Sequence, residues 1–102
     1  MKQPISKEQL RDLLQDPASE IQVIDIRSRD EFEKKHIPVS ENVPVEELAE
    51  RSATWNKESI VVCVCNRGHE RSQNAAAQLS ESGFESVFFL EGGVMGWFEE
   101  SS

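Results

Sequence analysis

Ile60-Val-Val-Cys63-Val-Cys65-Asn-Arg-Gly-His-Glu-Arg-Ser72-Gln-Asn-Ala-Ala-Ala77 is the stretch on which the reading of this chain turns. Ile60 to Val64 is a continuous apolar run rich in β-branched side chains, the composition of a strand buried on both faces in a parallel sheet. Cys65 stands where that run ends. Six polar or glycine residues, Asn66 to Arg71, separate it from Ser72 and an alanine-rich helical segment. The pattern is strand, tight loop, helix, with a thiol at the start of the loop. In that geometry successive loop N–H groups converge on one point, and the helix N-terminus adds its positive end. A thiol beside such an anion cradle has a depressed pKa. Cys65 is therefore read as a nucleophile.

At 102 residues the chain is expected to be one domain, 1–102, with a modest core. Met1 to Gln15 is polar with scattered leucines and does not read as a signal peptide. The longest apolar runs are far too short to span a bilayer. The expectation is a soluble, cytoplasmic protein. Cys63 and Cys65, two apart on one strand, sit at or beyond bridging distance, so reduced thiols are expected. The net charge is −8, from 19 acidic against 11 basic residues, which disfavours nucleic acid and anionic membrane as partners. Against that background Arg67, His69 and Arg71, opposed only by Glu70, form a local cationic patch. It fits a small anionic substrate or a covalently held anionic group.

Outward from this stretch, strands alternate with helical segments. Ser6 with Gln9 makes a capping box; Leu10, Leu13 and Leu14 share a helical face that ends at Asp16-Pro17. Ile21 to Ile26 reads as a strand. Asp25 near its end needs a hydrogen-bond partner, and either anchors a loop or takes part in chemistry. Arg29 to Lys35 reads as a short helix with Phe32 as its core contact, closed by His36-Ile37-Pro38. Asn42-Val43-Pro44 is a brief extended piece, and Val45 to Glu50 a short helix with Val45, Leu48 and Ala49 facing in. Trp55 is a packing lid. Ala75, Ala76 and Leu79 form the buried face of the helix after the loop, which stops at Ser82-Gly83. Phe84 and Val87 to Leu90 supply the next strand, and Glu91-Gly92-Gly93 a turn before a last short helix with Val94, Trp97 and Phe98. The class is α/β with a mainly parallel sheet and helices on both faces, and ligands in such sheets bind beyond the carboxyl ends of the strands.

Three segments in register resemble the rhodanese-like domains. Val23-Ile-Asp-Ile-Arg27, Glu31-Phe32, His36-Ile37-Pro38 and Asn42-Val43-Pro44 look like the family's first signature. Cys65 with its basic, glycine-containing loop and Arg71-Ser72 is similar to the catalytic loop. Leu90-Glu-Gly-Gly-Val94 with Trp97 matches the C-terminal signature. The resemblance implies a five-stranded parallel sheet flanked by helices and a sulfurtransferase activity. In that chemistry the Cys65 thiolate takes a sulfane sulfur from thiosulfate or a persulfide. It then passes the sulfur to cyanide, a thiol or a protein acceptor, with no metal or organic cofactor. The loop amides from Asn66 through Gly68 and Glu70 to Ser72 stabilise the anion, Arg67 and Arg71 hold donor oxygens, and Asp25 and Arg27 support the pocket rim.

The chain departs from the family pattern in places. Lys35 and Val39 stand where glycines flank the His-Ile-Pro segment, and Glu41 replaces an apolar residue, pointing to greater exposure there. The loop is one residue longer than the common sulfurtransferase loop. Read as Cys65-x5-Arg71, it has the spacing of the phosphatase and arsenate reductase branches of the fold, although Val64 stands where those enzymes carry histidine. A third reading is a non-catalytic rhodanese-like binding or regulatory module, in which the extended loop blocks the thiol. Among the remaining residues, Cys63 reads as core. His69 is either an exposed loop residue or a tuner of the thiolate, and His36 is a structural histidine bonded to backbone. The cysteines and histidines lack a standard zinc-pair spacing.

Overall fold

The structure, a computed structural model, describes residues 2–99; Met1 and residues 100–102 of the expected 1–102 unit lie outside the described residues. The elements run in order as β1 (Lys2–Ile5), α1 (Lys7–Leu14), β2 (Ile21–Asp25), α2 (Arg29–Lys34) and β3 (Glu41–Asn42). A 3-10 turn (Val45–Glu47) leads into α3 (Leu48–Ser52), followed by β4 (Ile60–Val64), α4 (Glu70–Glu81), β5 (Ser86–Leu90) and α5 (Gly93–Phe98). The five strands form one sheet in the order β1-β5-β4-β2-β3, and every pairing is parallel. The strand that carries Cys65 at its carboxyl end is thus central, the place where this chain most completely shields a backbone.

Both faces of β4 are covered, as its unbroken apolar run requires. On one side Val61, Cys63 and Cys65 join Leu48 of α3 and Ala75, Ala76 and Leu79 of α4. On the other, Val62 and Val64 join Leu10 of α1, Ile37 and Val94 of α5. The alternation follows from the two-residue period of a strand. The alanines of α4 let the helix lie close to the sheet, and Trp55 caps this layer edge-on to Phe84, with ring centroids 6.3 Å apart. Cys63 is fully buried, and burial first, then the neighbouring Cys65, pushes its thiol up to about 12. It is a core residue.

The N-terminal strand is the element that local patterning did not disclose. Lys2-Gln-Pro-Ile5 carries a proline and no apolar alternation. It becomes a strand only because β5 offers it a free edge, and an edge is where a strand tolerates proline. Two inward assignments are corrected as well. Val45 is 44% exposed and Ala49 is exposed, because the segment opens as a 3-10 turn and only Leu48 reaches the core. Phe32 is half-buried and stacks on His36, with ring centroids 3.8 Å apart, instead of entering the core. The His36 Nδ1–H donates to the Phe32 carbonyl at 2.8 Å. Lys35 sits in extended backbone with φ −168°, so that position does not need glycine. Glu41 is exposed and paired with Arg51 at 2.7 Å. No helix among the described residues is long and apolar enough to cross a membrane.

Candidate active site

The site is built where β4 ends. Cys65 is only 3% exposed, held below its loop with its Sγ 3.2 Å from the Ser72 Oγ. Burial pushes its thiol pKa up. The Ser72 hydroxyl and the backbone N–H groups of Ser72, Gly68 and Arg67 outweigh burial and hold it below the ordinary value. Those N–H groups face one atom because the loop wraps it and then enters α4, whose first turn contains Ser72. The Ser72 hydroxyl also donates to the His69 carbonyl at 3.3 Å. Above the thiol lies a cavity of about 340 Å³ lined by Cys65, Asn66, Arg67, His69, Glu70 and Arg71. Arg67, His69, Glu70 and Arg71 are exposed there, whereas Gly68 and Ser72 are buried. The His69 ring is not among the sulfur's hydrogen-bond partners. The described residues pair Cys65 with Ser72 and no histidine.

The loop is backed by α5. The first N–H groups of a helix have no partner inside it, and here Val94 and Met95 donate theirs to the carbonyls of Cys65 and Asn66, each at 2.9 Å. Turning those carbonyls outward leaves the loop's N–H groups to face the thiol. Such a close approach needs Gly93. Its φ is +58°, and a Cβ there would collide with the Cys65 carbonyl. We expect Gly93→Ala to cost about 1–3 kcal/mol, the scale of strain at a left-handed non-glycine residue. It should slow Cys65 alkylation beyond what that loss of stability explains. Urea unfolding read beside thiol reactivity checks this; unchanged reactivity would mean α5 does not shape the loop.

On the opposite side β2 supplies a buried pillar. Asp25 is fully buried and Arg27 4% exposed, and the Arg27 Nη2 meets the Asp25 carboxylate at 2.8 Å. The Arg27 Nε–H also donates to that carboxylate, and Nη2 donates to the Lys35 carbonyl at 2.7 Å. The remaining arm, Nη1, donates to the Asn66 Oδ1 at 3.0 Å. The Asn42 amide bridges the carbonyls of Asp25 and Arg27, both at 3.0 Å. Register explains the reach: Asp25 lies beside Val64, so the turn after β2 adjoins the loop after β4.

Glu31 belongs to this site and was not expected there. Its Oε2 accepts from the Asn66 Nδ2 at 3.1 Å, and its Oε1 from the Arg71 Nη2 at 3.1 Å. The hydrogen bond from Arg71 first, and the Ser28 N–H and Asn66 amide after it, overcome partial burial and bring its pKa down to about 2. The available signal was Ser28-Arg-Asp-Glu31, a capping box that fixes the carboxylate at the start of α2.

Comparison with known proteins follows the same lines. The rhodanese-like domain model matches residues 6–100. The chain is 36% identical over 85 residues to a thiosulfate sulfurtransferase GlpE of Shewanella oneidensis, covering 83% of each protein. A rhodanese-like domain protein from Staphylococcus aureus superposes with a TM-score of 0.82 at 25% identity, covering 97% of this chain and 94% of that one. A protein from Rhodopseudomonas palustris described as a possible tyrosine phosphatase gives 0.80 at 25% identity, covering 93% of this chain and 78% of that one. With its parallel sheet, its thiol at the end of the central strand and the matching model, the chain belongs to the rhodanese-like domain family.

Proposed function

We propose that this chain is a sulfurtransferase that carries a sulfane sulfur as a persulfide on Cys65. The carrying observation is the ring of donors on one buried sulfur: the N–H groups of Arg67, Gly68 and Ser72 with the Ser72 hydroxyl. Such a ring favours the thiolate, and after transfer it serves the terminal sulfur of a persulfide, also an anion. In the thiol form Cys65 donates to Ser72. On ionisation the hydroxyl rotates to donate to sulfur, a reversal open to any hydroxyl rotor.

The cycle balances without a further reactant. The thiolate attacks the outer sulfur of thiosulfate, a new S–S bond forms on Cys65, and sulfite leaves with the electron pair of the broken bond. Cyanide or an acceptor thiolate then attacks the terminal sulfur, and the Cys65 thiolate is the leaving group. The relatives named as thiosulfate sulfurtransferases support thiosulfate as a donor. The free thiols of Cys63 and Cys65 accord with a reducing, cytoplasmic setting, and the acceptor is a small thiol or a protein.

The direct test is mass spectrometry of thiosulfate-treated protein. One sulfur should be added to the Cys65 peptide and then removed by cyanide as thiocyanate. If Cys65 alkylates readily but gains no sulfur, the persulfide reading is lost. An aryl phosphate and arsenate, tried next, address the phosphatase and arsenate reductase reading that the Cys65-x5-Arg71 spacing favours. A Cys65 inert to alkylation in the folded protein would favour a binding module.

Ionisation should also be visible. The rate of Cys65 alkylation should rise with pH through a midpoint below that of a free thiol, because only the thiolate reacts. Ser72→Ala removes a donor to the thiolate and should move that midpoint upward. A midpoint at or above that of a free thiol in the wild-type protein would contradict the proposed cradle.

A further inference from the structure

Both loop arginines line the cavity above Cys65, but the structure treats them differently. Among the described residues Arg67 makes no ion pair, so its long side chain keeps its rotamer freedom. Arg71 is tethered through Nη2 to Glu31. The tether is the last link of an unbroken hydrogen-bond chain that starts in the core. Asp25 fixes Arg27, Arg27 fixes the Asn66 Oδ1, the Asn66 Nδ2 donates to Glu31, and Glu31 accepts from Arg71. Glu31 is itself anchored by the N–H and hydroxyl of Ser28 at 3.1 and 3.2 Å. Arg71 is half-exposed, and Glu31 is its one side-chain partner among the described residues. A guanidinium carries five N–H donors in a rigid fork, so most of them remain free at the cavity wall. The charge of Cys65 is near enough to raise the Arg71 pKa, after the larger effect of Glu31.

We infer that Glu31 is a positioning residue that presents the free edge of Arg71 to the anionic oxygens of the sulfur donor, selecting donors such as thiosulfate that end in an oxyanion. The inference rests on the persulfide reading of Cys65 and gives it a substrate class. A guanidinium already held in place loses little freedom when it grips a ligand, and planar forks match oxyanions better than a mobile cation does. With its pKa brought down to about 2, Glu31 stays ionised throughout any practical assay, and the tether holds across it.

The test compares two donors: thiosulfate, and an alkyl hydropersulfide, which yields its outer sulfur to the Cys65 thiolate with an alkyl thiolate leaving and has no oxygen to grip. Glu31→Gln keeps a side chain that can complete the capping box and removes the charge. The KM for thiosulfate should rise roughly tenfold with kcat within about twofold, the signature of lost binding common to ground and transition states. Loading from the hydropersulfide should stay within about twofold of wild type on the same principle. In an Arg71→Met background Glu31→Gln should have no further effect on the thiosulfate KM, as expected when both changes remove one interaction. An equal loss with both donors, or an undiminished effect in the Arg71→Met background, would overturn the inference and leave Glu31 as a helix cap. Absence of added sulfur on wild-type Cys65 from either donor would instead defeat the persulfide reading, and the inference with it.

Discussion

Cys65→Ser should reduce thiosulfate:cyanide sulfur transfer by roughly 10⁴-fold or more, to the uncatalysed background, the scale seen when a catalytic nucleophile is removed. The swap is nearly isosteric. A hydroxyl at position 65 keeps a hydrogen-bond partner in Ser72, whose Oγ lies 3.2 Å from the present sulfur. Stability should therefore change by only about 1 kcal/mol, the net worth of one hydrogen bond. Chemistry is what goes: a serine hydroxyl stays protonated where the cradled thiol ionises, and it forms no persulfide. Denaturant unfolding beside the activity assay separates the two effects. Residual transfer in the variant would point to Cys63, which is fully buried with its thiol pushed up to about 12, and so is poorly suited to take over.

Asp25→Ala is expected to be the most destabilising single change, about 3–5 kcal/mol, the cost of leaving a buried charge without its partner. The charge is Arg27, 4% exposed beside a fully buried Asp25. Natural domains have only about 5–15 kcal/mol to lose, so the thermal midpoint should fall by at least about 12 °C in a domain of this size. Replacing both partners by apolar residues, Asp25→Leu with Arg27→Met, should recover much of the stability because no buried charge is left. It should not recover activity, since Arg27 would no longer hold the Asn66 side chain. A single variant within about 1 kcal/mol of wild type would show that the pair is not the buried ion pair described.

Asp25 and Glu31 stand along one hydrogen-bond chain, and the two were unequally legible. Asp25 stood out at the close of a buried strand because an ionised group there must be paired. Glu31 did not stand out, because on its own helix it is an ordinary capping-box carboxylate. Its second job depends on residues 35 and 40 positions later in the chain. His69 shows the converse: a histidine four residues after a cysteine invites a catalytic pair, yet its ring is not bonded to the sulfur, and Ser72 takes that place. Val45 and Ala49 misled for a local reason, since a 3-10 turn rotates side chains off the α-helical face that their spacing assumes.

By itself the sequence determined the parts whose signals are local: the apolar run of β4 and the thiol at its end, the loop and alanine-rich helix behind it, and the Ser6 capping box. Periodicity and capping act within a few residues, and those elements form as read, except that α4 begins at Glu70, two residues before the expected start at Ser72. Tertiary structure alone decided that Lys2–Ile5 is a strand and that α5 turns the Cys65 and Asn66 carbonyls away from the thiol. It alone joined Arg71 through Glu31 and Asn66 to the buried Asp25–Arg27 pair. Each of these is a contact between distant segments, β1 against β5, α5 against the loop after β4, and the turn after β2 against that same loop, and no local pattern encodes it.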